Sequence, residues 1–364
     1  MKEPSIVLAG GGTAGHISPM VSIGEALRRK DSSARVLMIG SDEGMETRLV
    51  PAAGYPLRTI AKVPMPRRPS PDMLAFPGRF RRAVRAAERI LREEEADVVV
   101  GVGGYVCTPV YLAARKVGIP VIVHEANTTP GLANRVGNRF SAFTGVAFEG
   151  TALKRAQWVG MPMDRRISQL KRSEARDEAR TRLGLDPERP TLVVTGGSSG
   201  ALSLNRAIGS TIEELTGTGA QVLHLTGMDK QVRDDSGHVV KRFHYHQREY
   251  LDGMADAYAA ADLIVARAGA ATVCEVAAVG LPAVFVPLPI GNGEQERNAR
   301  DLVDAGGALL VKDEHFSEEW IRRNILPLLE EPELLATMQR QSSQRGITDA
   351  DDRMAEAAME AIQR

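Results

Sequence analysis

The sequence predicts an α/β protein of two Rossmann-like, doubly wound domains, each a parallel sheet with helices on both faces, facing a central cleft. Three observations carry that expectation. Short Val/Ile/Leu-rich runs alternate with helix-like stretches along the chain, as in sheets covered on both sides. A glycine-rich turn follows the first of these runs, and a second turn of the same grammar follows the run at 191–194. A glycine turn between a parallel strand and a helix brings backbone N–H groups and a helix N-terminus up to an anion, usually a phosphate. With one such turn opening each half, the cleft can hold one ligand from each side.

Bulk properties narrow the class. A chain of 364 residues has room for two domains, each with its own core. Hydrophobic residues make up 43% and charged residues 25%, ordinary proportions for a soluble globular protein. The formal net charge is +0, so no global field points to nucleic acid and basic character has to be local. Cys107 and Cys274 are the only cysteines, far apart and with no signal peptide ahead of them, which fits a reducing cytoplasm. No apolar run approaches the roughly 18 residues that span a bilayer, so the protein is expected to be soluble or peripheral to a membrane.

In chain order, the strand Ile6-Val7-Leu8-Ala9 enters Gly10-Gly11-Gly12-Thr13-Ala14-Gly15-His16 and a helix. Gly10, Gly12 and Gly15 satisfy G-x-G-x-x-G, and Asp42 follows the next strand, 35–39, which is the layout of a dinucleotide fold with an acid for the ribose. Two features oppose a nicotinamide oxidoreductase. His16 stands where such folds pack small or apolar residues, and no hydride-transfer site is recognisable downstream. A histidine at a helix start facing the cleft suits a general base, and it equally suits a capping or packing role. The strand at 97–102 ends in Gly101-Val102-Gly103-Gly104-Tyr105, expected beside the first turn. The next, 120–123, is followed by His124-Glu125-Ala126-Asn127, whose polar side chains are expected at the crevice, with Glu125 equally suited to tying loops together.

The first domain is expected to span 1–160, closing near Trp158-Val159-Gly160-Met161-Pro162. A charged helix over 168–183 and the loop Leu185-Asp186-Pro187-Glu188-Arg189-Pro190 then belong to the second domain, 161–345. Its strands fall at 191–194, 221–225, 263–266 and 283–286. A terminal helix within 346–364, with Met354, Ala358 and Ile362 at helical spacing, is expected to pack back on the first domain.

The second turn reads Thr195-Gly196-Gly197-Ser198-Ser199-Gly200-Ala201. Further on, Ala266-Arg267-Ala268-Gly269-Ala270-Ala271-Thr272-Val273-Cys274-Glu275 is the sharpest local signal. Small residues there let a diphosphate approach a helix N-terminus. Glu275, about one turn in, suits the ribose hydroxyls or simply complements the helix dipole. Glu294 and Gln295, on the loop after Pro287-Leu288-Pro289-Ile290-Gly291-Asn292-Gly293, suit sugar hydroxyls. The only D-x-D pair, Asp349 and Asp351, is in the terminal segment, so neither a metal nor another cofactor is expected. A leaving diphosphate then depends on helix termini and a cation such as Arg267.

Between 65 and 92 lie Met65, Met73, Leu74, Phe76 and Phe80 among Arg67, Arg68, Arg79, Arg81, Arg82, Arg85, Arg89 and Arg92. Apolar tips ringed by arginines suit an anionic leaflet, and equally an ordinary loop and surface helix.

Taken together, the segments at 10–16, 101–105, 124–127, 196–201, 267–275 and 294–295 resemble the MurG family in order and spacing from residue 5 to about 310. These are GT-B-fold enzymes that act on lipid I in peptidoglycan synthesis. The resemblance implies inverting transfer of N-acetylglucosamine from UDP-N-acetylglucosamine to the C4 hydroxyl of undecaprenyl-diphospho-N-acetylmuramoyl-pentapeptide, at the cytoplasmic face of the cell membrane. It places Thr13, Ala14 and Gly15 at the donor sugar, Asn127 on the N-acetylglucosamine, Ser198 on the diphosphate and the Leu251 backbone on the uracil edge. Ala270, Ala271, Thr272, Val273, Cys274 and Glu275 would hold phosphate and ribose, and Glu294 with Gln295 the sugar hydroxyls. Gly103, Gly104, Tyr105, His124 and Glu125 fall on the acceptor side, and His16 is the implied base.

Several positions depart from the family pattern. Ala14 replaces a common Gly, Ser199 a Gln, and Glu294 the first of two glutamines. Asp164, in Gly160-Met161-Pro162-Met163-Asp164, stands where an Arg that contacts the donor is usual, which leaves Arg165 or Arg267 as the diphosphate cation. A UDP-N-acetylglucosamine 2-epimerase of the same fold, a nicotinamide-dependent oxidoreductase and a non-enzymatic nucleotide-sugar sensor are the competing readings.

Overall fold

A computed structural model describes residues 3–63 and 72–363. Met65, Arg67 and Arg68 lie outside the described residues, as do the side chains of Ala14, Met73 and Leu74. The chain divides into two units, one formed by Met1–Asp164 with Thr348–Arg364 and the other by Arg165–Ile347.

In the first unit, β1 (Ser5–Ala9), β2 (Arg35–Ser41), β3 (Leu57–Ile60), β4 (Val98–Gly101), β5 (Val121–Glu125), β6 (Phe143–Val146) and β7 (Gln157–Trp158) form one sheet. Its order is β3-β2-β1-β4-β5-β6-β7, and every pairing is parallel. Strand residues alternate between two apolar layers, as a period of two requires. Ile6, Leu8, Met38, Val98 and Val100 pack with Ile17, Met20, Ile23 and Leu27 of helix Ala14–Lys30. Val7, Ile39, Val99, Val121 and Val123 face the other way, onto Ala87, Ile90 and Leu91 of helix Asp72–Glu93 and Val110 and Tyr111 of helix Cys107–Val117.

The terminal helix Ala350–Gln363 adds Met354, Ala355 and Ala358 to the first of these layers. Arg29, near the end of Ala14–Lys30, bonds Asp351 at 2.6 Å and Asp352 at 3.0 Å and fastens that helix in place.

The second unit repeats the plan with β8 (Thr191–Thr195), β9 (Gln221–Leu225), β10 (Tyr245–Arg248), β11 (Leu263–Ala266), β12 (Ala283–Phe285) and β13 (Ala308–Leu310). The order is β10-β9-β8-β11-β12-β13, again all parallel. One of its apolar layers joins Leu192, Val194, Val222 and Val265 to Leu204, Ile208 and Leu215. The expected helix over 168–183 is in fact two, Arg165–Ser168 and Arg172–Arg182. The strands β3, β6, β10 and β13, absent from the sequence expectation, are short segments at or next to the sheet margins.

In each sheet the strand order reverses beside the first strand, at β1/β4 and at β8/β11. A crevice opens there at the carboxyl ends of the strands, where open α/β sheets take ligands. The turn after β1 and the turn after β4 flank it in one unit; the turn after β8 and the segment after β11 flank it in the other.

Candidate active site

In the first unit, the turn after β1 delivers His16 from the opening of helix Ala14–Lys30. Its Nδ1 lies 3.1 Å from the Gly11 carbonyl and 3.2 Å from Thr13 Oγ1. A carbonyl only accepts, so Nδ1 carries the hydrogen and donates it, and Nε2 is the atom that takes up a proton. The turn after β4 closes on this ring. Gly103 and Gly104 have φ of +103° and +93°, and a Cβ on Gly103 would stand 3.1 Å from His16 Nε2. A Cβ on Gly104 would stand 2.5 Å from the Gly11 oxygen, so glycine is required by backbone conformation and by space together. Tyr105 is exposed beside them, and Thr13 and Gly15 are exposed on the turn itself.

Of the two roles expected for His124 and Glu125, contact with a ligand or the tying of loops, their burial and hydrogen bonds favour the second. His124 is fully enclosed; its Nε2 bonds the Gly160 carbonyl at 2.9 Å, and burial pushes its pKa down to about 4, so the ring is neutral. Glu125 spends both oxygens on its own loop. One accepts the Asn127 N–H at 2.9 Å; the other accepts the Gly131 N–H at 3.0 Å and Asn134 Nδ2 at 2.9 Å. Glu125 thus ties the loop that carries half-buried Asn127, and His124 ties β5 to the backbone at Gly160.

Asp42 is exposed and accepts the Lys62 N–H at 3.3 Å. The Gly12 N–H is taken by Glu46 Oε2 at 3.0 Å. A carboxylate of the chain itself thus occupies a donor that a dinucleotide fold offers to its phosphate, which counts against the nicotinamide reading.

In the second unit, helix Ala270–Ala278 follows β11 behind Gly269, with no side-chain cap and no acidic residue in its first turn. An uncapped helix start of this kind suits an anion. Ala270, Ala271, Thr272 and Cys274 are half-buried along this opening, and Val273 is buried behind it. Glu275 Oε2 accepts the hydroxyl of buried Tyr258 at 2.7 Å, which fixes the carboxylate one turn in. Ser198 is exposed on the turn after β8, which Lys230 Nζ steadies by donating to the Ser199 carbonyl at 2.6 Å. Leu251 lies half-buried just beyond β10. Exposed Glu294 begins helix Glu294–Asp304, and Gln295 Oε1 accepts the Leu288 N–H at 2.9 Å, holding the preceding loop.

The two candidate cations differ in their engagements. Arg267 bonds Asp313 at 2.5 Å, Ser203 Oγ at 3.1 Å and the carbonyls of Val286 and Pro287 at 3.0 and 3.1 Å. It is tied to the walls of its own sheet. Arg165, half-buried at the start of helix Arg165–Ser168, has no ion pair or side-chain hydrogen bond among the described residues.

Residues 6–145 match the glycosyltransferase family 28 N-terminal domain, and residues 191–354 match the family 28 C-terminal domain. Over 361 residues the chain is 58% identical to the UDP-N-acetylglucosamine–N-acetylmuramyl-(pentapeptide) pyrophosphoryl-undecaprenol N-acetylglucosamine transferase of Paenarthrobacter aurescens, covering 99% of this chain and 97% of that one. The chain belongs to the MurG family. The transferase of the same name from Streptomyces coelicolor is 48% identical over 360 residues, with 98% of each chain covered.

The crystal structure of Acinetobacter baumannii MurG superposes with a TM-score of 0.80 at 27% identity, covering 99% of this chain and 100% of that one. A Neisseria meningitidis UDP-GlcNAc 2-epimerase shares the fold alone, at 16% identity and a TM-score of 0.70 over 98% of this chain and 100% of that one. The MurG family accordingly accounts for both glycine turns and for the GT-B architecture, and the epimerase and oxidoreductase readings are not favoured.

Family membership also gives context to residues that the sequence did not single out. Glu46, Tyr258 and Asp313 touch the predicted site residues or their loops from other elements of their units, and Asn134 does so from the helix that follows β5. For Glu46 a local sign existed: a carboxylate two residues after Gly44 at a helix start, just past β2.

Proposed function

We propose that this MurG-family glycosyltransferase moves N-acetylglucosamine from UDP-N-acetylglucosamine to the C4 hydroxyl of undecaprenyl-diphospho-N-acetylmuramoyl-pentapeptide, with inversion at the anomeric carbon. The observation that carries this reading is 58% identity to a transferase of that name across 99% of the chain. In the reaction, His16 Nε2 takes the proton of the acceptor hydroxyl as its oxygen bonds to C1 of the sugar. The bond from C1 to the diphosphate breaks on the opposite face, and UDP leaves with the electron pair.

Uridine diphosphate is assigned to the second unit. The leading N–H groups of helix Ala270–Ala278 and Ser198 take the phosphates, Glu275 the ribose hydroxyls and the Leu251 backbone the uracil. Arg165, being uncommitted, is the cation assigned to the leaving diphosphate, and Arg267 holds the floor of that pocket through Asp313. Glu294 and the amide nitrogen of Gln295 meet the sugar hydroxyls. In the first unit, Thr13, Ala14, Gly15 and Asn127 meet the sugar, and Gly103, Gly104 and Tyr105 line the acceptor side. The reaction is assigned without a metal, so chelator treatment is expected to leave turnover unchanged.

No helix among the described residues is long and apolar enough to cross a membrane. We assign the enzyme to the cytoplasmic membrane face, docked on anionic lipid through helix Asp72–Glu93, because its acceptor is lipid-linked. Incubation of purified protein with UDP-N-acetylglucosamine and the lipid-linked muramoyl acceptor should yield the disaccharide lipid and UDP. Absence of transfer, or release of a 2-epimeric UDP-sugar without acceptor, would overturn the assignment.

A further inference from the structure

The reaction scheme leaves one enclosed ionic group beside the His16 turn unused. Glu46, fully buried, is reached by the Gly12 N–H at 3.0 Å on Oε2, and by the Ser41 N–H at 2.7 Å and Ser41 hydroxyl at 2.6 Å on Oε1. Burial alone would raise its pKa, but these donors outweigh it and hold the carboxyl below the ordinary range, so it is ionised. Side chains at Gly11, Gly40 or Gly44 would collide with this carboxyl, so the surrounding backbone is cut to its shape.

The Gly12 N–H and the Gly11 carbonyl are two ends of one peptide group. Glu46 binds the N–H end; His16 Nδ1 donates to the carbonyl end at 3.1 Å. We propose that Glu46 is a positioning residue for His16, acting through the Gly11–Gly12 peptide as a carboxylate–peptide–imidazole chain. An anion on the N–H draws electron density toward the carbonyl oxygen and makes it a better acceptor, because linked hydrogen bonds strengthen one another by about 10–30% each. The stronger acceptor fixes the Nδ1–H tautomer and raises the basicity of Nε2, the atom assigned to proton uptake. A tie for the loop alone would need only a neutral acceptor. Neighbouring elements also bring up Glu125, through Asn134, and Cys107, whose Sγ donates to the Gly103 carbonyl at 3.0 Å. Neither bonds the Gly11–Gly12 peptide in this arrangement.

This inference rests on His16 as the base, and the test separates the two. The full-length protein, with ¹⁵N-labelled histidine and His16 assigned by a His16→Gln spectrum, is titrated as wild type, Glu46→Gln and Ser41→Ala. Glu46→Gln should lower the His16 ring pKa by about half a unit or more. It should also reduce kcat about tenfold or more with donor KM within about threefold, and move the acid limb of the kcat profile to lower pH. Ser41→Ala strips one donor from the same carboxylate, concentrates its charge and should raise the ring pKa.

Opposite signs support the chain; a loosened loop would shift both variants the same way and overturn it, as would an unchanged ring pKa in folded Glu46→Gln. If Glu46→Gln fails to fold, Ser41→Ala decides: a raised ring pKa supports the proposal, and an unchanged or lowered one overturns it. A shifted ring pKa with unaltered kcat supports the role of Glu46 and removes the base assignment from His16.

Discussion

At position 275 a carboxylate sits one helical turn behind uncapped N–H groups, braced by the Tyr258 hydroxyl at 2.7 Å. On the proposed assignment of Glu275 to the ribose, that brace would lower the entropy lost on binding, because the side chain is already aimed. Each hydrogen bond to a charged group contributes about 1.5–3 kcal/mol, so Glu275→Ala should weaken UDP binding at least about tenfold in isothermal titration. Unchanged affinity would remove the ribose role. His16→Ala should lower kcat by about 10²–10⁴ with little change in UDP binding, and near-normal turnover would move the base elsewhere. The strand–turn–helix placement of Glu275 and His16 was legible in the sequence, because each lies inside its own local segment. The contacts of Tyr258 and Glu46 with those segments were not, because the register of neighbouring strands and helices, rather than chain proximity, makes them; Glu46 showed only its place at a helix start.

Helix Asp72–Glu93 shows how one element divides its faces. Ala83, Ala87, Ile90 and Leu91 are buried on the sheet, while Arg81, Arg82, Arg85, Arg89 and Arg92 are exposed. Phe76 and Phe80 stack with ring centroids 5.5 Å apart, both half-buried. Charge reversal at Arg81 and Arg82 should therefore weaken sedimentation with anionic vesicles. Binding by the wild type should fall with added salt, since the screening length is about 8 Å at physiological ionic strength. Salt-insensitive binding would refute docking through this helix.

The terminal helix carries a second element-level prediction. Asp351 is enclosed with only 4% of its side chain exposed, so Asp351→Ala strips Arg29 of its buried partner and should destabilise the first unit by about 1–3 kcal/mol in urea unfolding. The central strands and the glycine turns were readable because apolar runs and punctuation are local. The sheet-margin strands β3, β6, β10 and β13 were not, since they are short and take their pairing from a neighbour already in place.

Across the whole molecule each unit hides one neutral histidine. Burial holds His124 down at about 4 and His224 at about 3, whereas an unfolded imidazole protonates near about 6.5. Below that value the unfolded state binds more protons than the native one. The stabilisation is therefore full above pH of about 6.5 and is lost as pH falls toward the folded values. At pH 5 the loss is about 2 kcal/mol for each histidine. Urea midpoints should accordingly drop between pH 7.5 and 5, and His224→Gln should flatten that drop in the second unit. An unaltered slope would mean that His224 is charged in the native state.

The helix that returns to the first unit also makes the two lobes unequal in what they need from the end of the chain. Segment 165–347 is one continuous stretch, whereas the first unit is complete only with Ala350–Gln363. The second lobe can therefore close its sheet without that helix, while the first is left with the apolar flank around Ile23 and Leu27 uncovered. A released chain truncated just short of that helix should display a protease-resistant second lobe and an amino-terminal lobe that is still sensitive and attractive to chaperones.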